Sequence, residues 1–421
     1  MSVPRLLVLG GGSSQLSLLK RCRDLGFFTI LADRNPKAPG RALCDTFEEA
    51  STFDAGAILA AASRRKADAI LTAGTDQPVL AAARVAQKLG LPSFLDIETA
   101  LAVTNKRVMK TRLCELGLPS ADWVIVDKDF QAKELSKLSP PYVTKPVDSQ
   151  GQRGVYCLPD IGAVMDVAED VCSYSREDHF LVEEFYPGPE VTVSGWVARG
   201  ETKILTITDR VTREFPPHIG VCFAHRYPSH LESKFQEISS LTRRIVEGFR
   251  IKEGPIYFQF LCGESGVFVN EISCRLGGAY EDLFIPRVTG IDLLDLLIRG
   301  SLGERVVPVP YSGFDPAVAP KRVSVPLMFC RPGRITGLSD LRRVRSLPGV
   351  VAAQWLQPEG TEIGQLVNST ARAAFLVVEA ATRIEINNHV VKAIGKMSVR
   401  DEEDREMLLD AVVHATHPTP E

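Results

Sequence analysis

The sequence lacks an apolar run that approaches the roughly 20 residues of a membrane-spanning helix. The stretch from Val3 to Leu9 is short and is followed at once by glycines, which favours a first β-strand over a secretory signal. No Cys-x-x-Cys pair occurs among the nine cysteines, whose closest two are Cys262 and Cys274. An odd number at irregular spacing is typical of reduced, buried thiols. These absences predict a cytoplasmic protein without a membrane partner.

An excess of either charge is also missing. The chain has 421 residues with 49 Lys or Arg and 52 Asp or Glu, for a net charge of −3. This balance does not indicate a nucleic-acid partner. The seven histidines lack zinc-ligand spacing, and no Ser-His-Asp or Cys-His arrangement is evident. A chain of this length exceeds one hydrophobic core, so several domains are expected.

The first residues alternate between strand and helix signals. An apolar strand over Arg5–Leu9 leads through Gly10-Gly11-Gly12 into a helix over Ser13–Leu25, and a strand over Phe27–Ala32 ends at Asp33. A glycine turn followed by an acid about 20 residues later is typical of a Rossmann-like unit, although the third glycine of the dinucleotide fingerprint is missing. A nicotinamide-dependent oxidoreductase therefore stays an alternative that depends on these glycines alone.

The rest of the chain divides into further parts. A connector helix is predicted from Ile97 to Gly117, and Asp76 is interpreted as the N-cap of an earlier helix. The polar tail after Arg400 is expected to fray. A linker is marked by Pro308, Pro310, Gly313 and Pro316. We predict a Rossmann-like domain over 1–95, a connector with a small lobe over 96–190, a large lobe over 191–305 and a β-rich lobe over 306–421.

A glycine-bearing loop is the first sequence feature that indicates chemistry. The β-prone residues Tyr142 to Thr144 end at Lys145, and the small, polar stretch from Val147 to Gly154 follows. Such a loop is rich in backbone N–H groups that can fold over phosphate oxygens. Taken alone, a surface hairpin with an incidental lysine explains it equally well.

Three further motifs change that balance. Lys106 precedes the loop, while Leu181–Glu190 and the paired strands Tyr257–Leu261 and Phe268–Gly278 follow it. In this order and spacing the motifs resemble the ATP-grasp superfamily of ADP-forming ligases over about residues 1–305. The resemblance implies an α/β and α+β multidomain protein. Its parts would be a Rossmann-like pre-ATP-grasp domain, a two-lobed ATP-grasp core and a β-rich carboxyl-terminal lobe.

The resemblance also implies a nucleotide site for ATP. Lys106 and Lys145 would hold phosphates, the main chain of Glu183 and Phe185 would read the adenine edge, and Glu190 would accept from the ribose hydroxyls. The complete set of implied nucleotide-binding residues is Lys106, Lys145, Gly151, Gly154, Glu183, Glu184, Phe185, Glu190 and Leu261.

Metal and catalytic residues are implied by the same motifs. Magnesium, or manganese in its place, would be bound by Gln259, Glu271 and Ser273, where the family usually has Glu, Glu and Asn. Arg275 resembles the arginine that steadies the transferred phosphoryl group, with Lys145 as its catalytic companion.

A strand ending at Asp209-Arg210, followed by a Pro-Pro-His loop, looks like the acceptor segment of amino-acid ligases. Implied substrate contacts are Arg210, Arg213, His218, Gly277 and Gly278. The expected function is a carboxylate–amine ligase that acts on small molecules through an acyl phosphate, with a homodimer as the expected assembly. The alternatives are a purine-pathway or biotin-carboxylase-like enzyme of the superfamily and a non-catalytic ATP-binding regulator.

Overall fold

The computed structural model describes residues 3–310, 314–316 and 318–418, so the linker residue Gly313 lies outside it. The amino-terminal domain is a parallel sheet of order β3-β2-β1-β4 between helices. Its elements are β1 Arg5–Leu9, α1 Leu16–Asp24, β2 Phe28–Asp33, β3 Thr46–Glu49, α2 Ala55–Arg65, β4 Ala69–Leu71 and α3 Gln77–Leu89. The predicted Rossmann-like arrangement is confirmed, although a short 3-10 helix over Ser13–Gln15 precedes the first α-helix.

The connector differs from the predicted single helix. It consists of α4 Ile97–Ala102 and α5 Lys106–Glu115. The break arises because Asn105 is an N-cap: its side-chain oxygen accepts the Val108 N–H at 3.2 Å, which favours a new helix start. Lys106 is therefore the first residue of a helix.

The next two lobes share one sheet of 12 strands with the carboxyl-terminal lobe. The small lobe contains β5 Trp123–Asp127, β6 Tyr142–Pro146, β7 Tyr156–Leu158, α6 Ile161–Ser173 and β8 His179–Glu184. The large lobe contains β9 Glu190–Ala198, β10 Glu201–Phe215, β11 His218–Tyr227, α7 Phe235–Gly248, β12 Gly254–Gly263, β13 Gly266–Ser273, α8 Glu281–Thr289 and α9 Leu293–Ser301. The predicted antiparallel pairing of the two strands around Gln259 and Glu271 is confirmed.

The acceptor segment is a hairpin rather than a strand followed by a loop. Strand β10 continues past Arg210 to Phe215 and pairs antiparallel with β11, so Pro216 and Pro217 form only the turn. Val211, Thr212 and Phe215 are β-prone, and this composition supports continuation of the strand to Phe215. His218 consequently begins a strand.

The carboxyl-terminal lobe joins the main sheet through β14, which pairs with β11. Its elements are β14 Arg322–Met328, β15 Gly333–Arg334, β16 Gly337–Leu338, α10 Leu341–Arg345, β17 Val350–Trp355, β18 Glu362–Ile363, β19 Ala374–Ala380, α11 Arg383–Ile394, β20 Val399–Arg400 and α12 Val412–Ala415. The expectation of a frayed tail is wrong up to His417, which is buried and contacts the Val323 carbonyl at 3.0 Å through Nε2. Residues 419–421 of that tail lie outside the described ranges.

Among the described helices, none combines the length and the apolar character needed to cross a bilayer. All nine cysteines are free thiols, and five of them are buried.

The amino-terminal domain docks on the large lobe through a turn after β4. Gly74 adopts φ +71° and donates its N–H to the Leu276 carbonyl at 3.0 Å. A Cβ on Gly278 would lie 2.8 Å from the Gly74 oxygen, and one on Gly74 would lie 2.5 Å from the Ser14 Cβ. Glycine is therefore required here by close approach as well as by conformation.

We expect Gly74→Ala to destabilise the protein by about 2–4 kcal/mol, because backbone strain adds to a collision. The matched control is Gly90→Ala, since Gly90 has φ +67° in the same domain but nothing within 4 Å of its added Cβ. Urea denaturation of both variants measures the difference. Equal losses would contradict the docking described for Gly74.

Candidate active site

Two adjoining cavities lie where the lobes meet. The small cavity, of about 140 Å³, lies between the small and large lobes. The large cavity, of about 900 Å³, lies between the large lobe, the amino-terminal domain and the carboxyl-terminal lobe. The residues that line both are Gln150, Gly151, Gln152, Arg153, Arg210, Gln259 and Glu271. A molecule in one cavity can therefore meet a molecule in the other at this shared wall.

Most of the predicted site residues line one of these cavities. The small cavity contains Lys106, Lys145, Gly151, Glu183, Glu184, Phe185, Glu190, Arg210, Gln259, Leu261 and Glu271. The large cavity adds Arg275 and Gly278. Those that line neither are Gly154, Arg213, His218, Ser273 and Gly277.

Lys145 is held by a buried charge network. Its ammonium group donates to Asn270 Oδ1 at 2.8 Å and pairs with Glu183, whose other oxygen lies 2.8 Å from the Lys110 ammonium. Burial alone would raise the pKa of Glu183, but the charges of Lys110 and Lys145 lower it to about 2. Glu183 is thus ionised and fixes the Lys145 side chain at the cavity.

Lys110 is a functional residue that the motifs did not identify. Its side chain is only 1% exposed, and burial lowers its pKa, partly offset by Glu183. Lys106 and Lys110 are four residues apart on α5 and therefore lie on one helix face. That spacing was the available signal.

Lys106 positions the glycine loop. Its backbone N–H donates to the Val147 carbonyl and its ammonium group to the Ser149 carbonyl, both at 2.7 Å. Within the loop, Gly151 has φ +73° and lines both cavities. The start of α5 is therefore hydrogen-bonded directly to the loop at the small cavity.

The chain between the lobes provides one backbone donor, but at a different residue from the predicted one. The Phe185 N–H is already donated to the Pro141 carbonyl at 2.9 Å, and the Glu184 N–H to the Asp122 carbonyl at 3.0 Å. Within the described part of the chain, the Tyr186 N–H has no hydrogen-bond acceptor. The expected Phe185 donor is thus corrected to Tyr186, because the sheet pairing consumes the earlier N–H.

The wall opposite the lysines contains a second buried ion pair. Arg210 donates to Glu190 Oε2 at 2.6 Å and to the Gly220 carbonyl at 3.0 Å. Burial alone would lower the pKa of the Arg210 guanidinium, but the adjacent Glu190 carboxylate raises it. Both side chains line the small cavity and hold each other in place.

The predicted metal ligands are brought together only in part. Gln259 and Glu271 are direct partners on β12 and β13, and both line the two cavities. A β-bulge after this pair makes Asn270 an extra residue, so that Asn270 and Glu271 both line the small cavity. Ser273 instead is 1% exposed, its hydroxyl has no hydrogen-bond partner among the described residues, and it lines neither cavity.

The side-chain oxygens of Gln259, Asn270 and Glu271 are of the type that Mg²⁺ prefers as ligands. One carboxylate and two side-chain amides are hard oxygen donors, and their low total charge suits an ion shared with phosphate groups. Among the described residues, no group of three or more His, Cys, Asp or Glu side chains forms a metal cluster. The donor set therefore fits a magnesium–nucleotide complex better than a metal held by protein alone.

Arg275 is fixed by a residue of the amino-terminal domain. Its Nε and Nη2 lie 2.8 and 2.9 Å from the two carboxylate oxygens of Asp76, and its guanidinium lies 4.5 Å from the Tyr257 ring centre. The Asp76 side chain makes no N-cap hydrogen bond, so the N-cap interpretation is wrong in this respect. The carboxylate instead orients Arg275 at the large cavity.

A neutral histidine also lines the large cavity. His225 is buried, and burial followed by the charges of Arg210 and Arg372 lowers its pKa to about 3. Its Nδ1 lies 3.2 Å from the Thr208 hydroxyl, whose proton is donated to the Thr192 carbonyl at 3.4 Å. A ring proton on Nδ1 would satisfy both contacts and leave Nε2 as a hydrogen-bond acceptor.

Four further predicted residues, Gly154, Arg213, His218 and Gly277, lie outside both cavities. Arg213 is exposed and its guanidinium lies 5.2 Å from the Phe215 ring centre, while His218 packs on Tyr156. Both lie at the β10–β11 turn, because the strand continues past Arg210. A Cβ on Gly154 would meet Pro146 and Tyr174 side chains, and one on Gly277 would meet the Glu281 carboxylate. The expected close approach of a ligand at Gly277 is thus replaced by protein packing.

The carboxyl-terminal lobe completes the large cavity. Arg372 donates to the Gly278 carbonyl at 2.8 Å. Ser369 donates its N–H to the Gly151 carbonyl at 3.1 Å and its hydroxyl to Gln152 Oε1 at 2.5 Å. The glycine loop is therefore docked on this lobe, a contact that no sequence motif indicated.

Comparison with known proteins agrees with this geometry. The ATP-grasp domain family matches residues 138–281, which contain the glycine loop and the paired strands. The L-amino acid ligase C-terminal domain 2 family matches residues 325–402 in the terminal lobe.

Individual relatives are ligases and synthases. An L-arginine-specific L-amino acid ligase of Bacillus subtilis is 25% identical over 65% of this chain and 66% of its own length. A phosphoribosylamine–glycine ligase of Streptomyces coelicolor is 28% identical over 95% of this chain and 97% of its own. The match to the carbamoyl phosphate synthase large chain of Agathobacter rectalis, at 22% identity, covers 27% of that protein. This chain thus spans less than two thirds of the length of the L-arginine-specific ligase and of the carbamoyl phosphate synthase large chain.

Solved structures show the same fold. The L-amino acid ligase of Bacillus licheniformis has a TM-score of 0.78 at 17% identity, covering 96% of this chain and 100% of that one. The phosphoribosylglycinamide synthetase of Anaerococcus prevotii has a TM-score of 0.74 at 18% identity, covering 95% and 100%. The resemblance to the ATP-grasp superfamily drawn from the motifs is confirmed: the chain contains an ATP-grasp domain over residues 138–281 and has the same fold as these two structures.

Proposed function

We propose that this protein joins a small, amino-acid-like carboxylic acid to an amine, with conversion of ATP to ADP and phosphate. One observation carries the proposal: Lys106 and Lys145 line the same small cavity as Gln259 and Glu271, and the latter two also line the large cavity. A nucleotide in the small cavity would present its terminal phosphate to an acid in the large one.

The proposed reaction has two steps. A carboxylate oxygen bonds to the terminal phosphorus as the bond to the bridging oxygen breaks, and ADP leaves with that electron pair. The amine nitrogen then bonds to the acyl carbon, phosphate leaves with the C–O electron pair, and the nitrogen releases its proton to the medium. An acid anion, an ammonium ion and ATP become an amide, ADP, phosphate and one proton. The protein contributes positioning and charge neutralisation.

Nucleotide recognition follows from the small cavity. Lys106 and Lys145 are assigned to the phosphates, together with backbone N–H groups of the loop at Gly151. The Tyr186 N–H and the main-chain carbonyls of Glu183 and Glu184 are assigned to the adenine edge. Glu190 keeps its assignment to the ribose, and Leu261 forms an apolar wall.

Magnesium is assigned to Gln259, Asn270 and Glu271. Bound there, such an ion would neutralise phosphate charge and fix the geometry of the phosphate oxygens. Asn270 replaces the predicted Ser273 in this assignment because Ser273 lines neither cavity.

The large cavity is assigned to the acid and the amine. Arg275 stabilises the transferred phosphoryl group, because Asp76 holds its guanidinium rigidly at the cavity. His225 Nε2 can accept a hydrogen bond from the amine, since the ring is neutral. Arg210 stays assigned to the substrate side, with its charge shared with Glu190.

One alternative has support from an observation. The phosphoribosylamine–glycine ligase relative matches over nearly its whole length, which favours a purine-pathway type of amine substrate as the second candidate. Both candidates predict the same nucleotide chemistry. A homodimer stays a prediction.

We expect the purified protein to form ADP only when a carboxylic acid and an amine are both present. The measurement is a screen of amino acids and small acids against amines with ADP and phosphate as readouts. Formation of AMP and pyrophosphate, or no turnover with any pair, would reject the ligase proposal.

We expect Lys145→Ala to weaken ATP binding by at least about tenfold, because a phosphate contact is lost and Glu183 is left with one partner fewer. Isothermal titration calorimetry with ATP measures the affinity. The matched control is Lys128→Ala, an exposed lysine of the same lobe. An affinity equal to that of the control would remove Lys145 from the site.

We expect Glu271→Gln and Asn270→Ala each to raise the Mg²⁺ concentration for half-maximal ADP formation by about tenfold or more, because the first removes the carboxylate charge and the second removes an oxygen donor. Ser273→Ala should leave that concentration unchanged. Titrations with Mg²⁺ and with Mn²⁺ at saturating ATP measure the effect. A shift for Ser273→Ala as large as that for Glu271→Gln would restore the original ligand set.

A further inference from the structure

The charges around the large cavity are not balanced. Six arginines line it, and three of them have carboxylate partners: Arg176 with Asp148, Arg210 with Glu190 and Arg275 with Asp76. The other three are Arg34, Arg153 and Arg372, which form no ion pair with any residue in the described ranges. They come from three separate parts of the chain: the amino-terminal domain, the glycine loop and the carboxyl-terminal lobe.

Two of the unpaired arginines line the same cavity, and their charges repel each other. Arg34 follows β2 and is exposed, and Arg153 lies in the glycine loop and donates through Nε to the Gln150 carbonyl at 3.1 Å. Burial, and then the neighbouring charge of Arg34, lower the pKa of the Arg153 guanidinium. Two like charges therefore oppose each other across this part of the cavity.

Hydrogen bonds hold the glycine loop, and with it the backbone of Arg153, in place at the cavity. The Asp76 N–H donates to Gln150 Oε1 at 2.5 Å, and Ser369 donates to Gly151 and Gln152 as described above. These contacts hold the loop against both the amino-terminal domain and the terminal lobe, so Arg153 is not free to swing away with the loop. An anionic group between Arg34 and Arg153 would replace repulsion by two charge-assisted hydrogen bonds.

Arg372 occupies a second place in the same cavity. Its charge acts on His225, and one of its terminal nitrogens donates to the Gly278 carbonyl. Its Nε is shielded from solvent and has no partner among the described residues. The large cavity thus contains two sets of guanidinium groups without a carboxylate partner among the described residues: Arg372, and Arg34 with Arg153.

The acidic residues that line the large cavity do not supply anions to these three arginines. Asp33 accepts the Gly11 and Asn35 N–H groups at 2.7 Å each, Asp76 is paired with Arg275, and Glu271 belongs to the shared wall. A cavity of about 900 Å³ is large enough for an acid and an amine together.

We propose that the amine substrate carries two anionic groups: one bound by Arg372, and a side-chain carboxylate or phosphate bound between Arg34 and Arg153. An acidic amino acid and a phosphorylated amino acid both have this chemistry. The inference rests on the proposed ligase function, because that function puts an amine in the large cavity.

Binding to the full-length chain tests the proposal with pairs of probes that differ in the side-chain anion. The probes are L-aspartate with L-asparagine, L-glutamate with L-glutamine, and O-phospho-L-serine with L-serine. Each is titrated calorimetrically in the presence of Mg²⁺ and a non-hydrolysable ATP analogue. At least one anionic probe should bind about tenfold or more tighter than its neutral counterpart. The anionic probe with the tightest binding shows whether the recognised side-chain group is a carboxylate or a phosphate.

Two variants locate the recognition. Arg34→Gln and Arg153→Gln should each reduce that preference severalfold, and Arg34→Gln, at a residue that lines only the large cavity, should leave binding of the ATP analogue unchanged. The matched control is Arg84→Gln, which removes one exposed positive charge from α3 in the amino-terminal domain and should keep the preference. Thermal melting of all three variants verifies that they are folded.

The contradicting outcomes are distinct. The proposal is wrong if no anionic probe binds more tightly than its neutral counterpart, or if the preference survives both substitutions. It is also wrong if Arg153→Gln weakens binding of the ATP analogue instead, because Arg153 would then serve the nucleotide. Probe preference without ADP formation would reject the ligase function alone, whereas ADP formation from neutral amines without preference would reject this inference alone.

Discussion

Burial of charge is the constraint on which the site depends. An ion removed from water costs several kcal/mol unless a partner is fixed beside it. Around the two cavities, Glu183 meets this condition with two lysines and Arg275 meets it with Asp76. Each arrangement joins residues that are far apart in sequence. The first links α5 to the strands of the small lobe, and the second links the amino-terminal domain to the large lobe.

The same constraint explains how one wall can serve two cavities. Gln259 and Glu271 lie on paired strands in the rigid sheet, whereas the opposite side is the glycine loop, held by Lys106, Asp76 and Ser369. The loop therefore contacts three other parts of the chain at once. A nucleotide on one side and an acid on the other would both depend on its position.

Local patterns predicted much of the fold and several residues of the small cavity. Apolar periodicity identified β1 and β2 within a few residues, and Lys106, Lys145, Gln259 and Glu271, which the motifs indicated, line one cavity. Errors occurred where a local signal competed with a tertiary one. Asn105 capped a new helix inside an otherwise helical pattern, and the residues after Arg210 continued a strand because the neighbouring β11 was available to pair with them.

The sequence by itself determined which residue types could hold a triphosphate and in which order they occur, because those motifs are short and local. Only the tertiary structure decided which groups are free to act. Sheet pairing consumed the Phe185 N–H and left that of Tyr186, and a β-bulge turned Asn270 toward the cavity while Ser273 became buried. The partners of Lys110 and Arg372 come from distant parts of the chain, and no local pattern encodes such contacts.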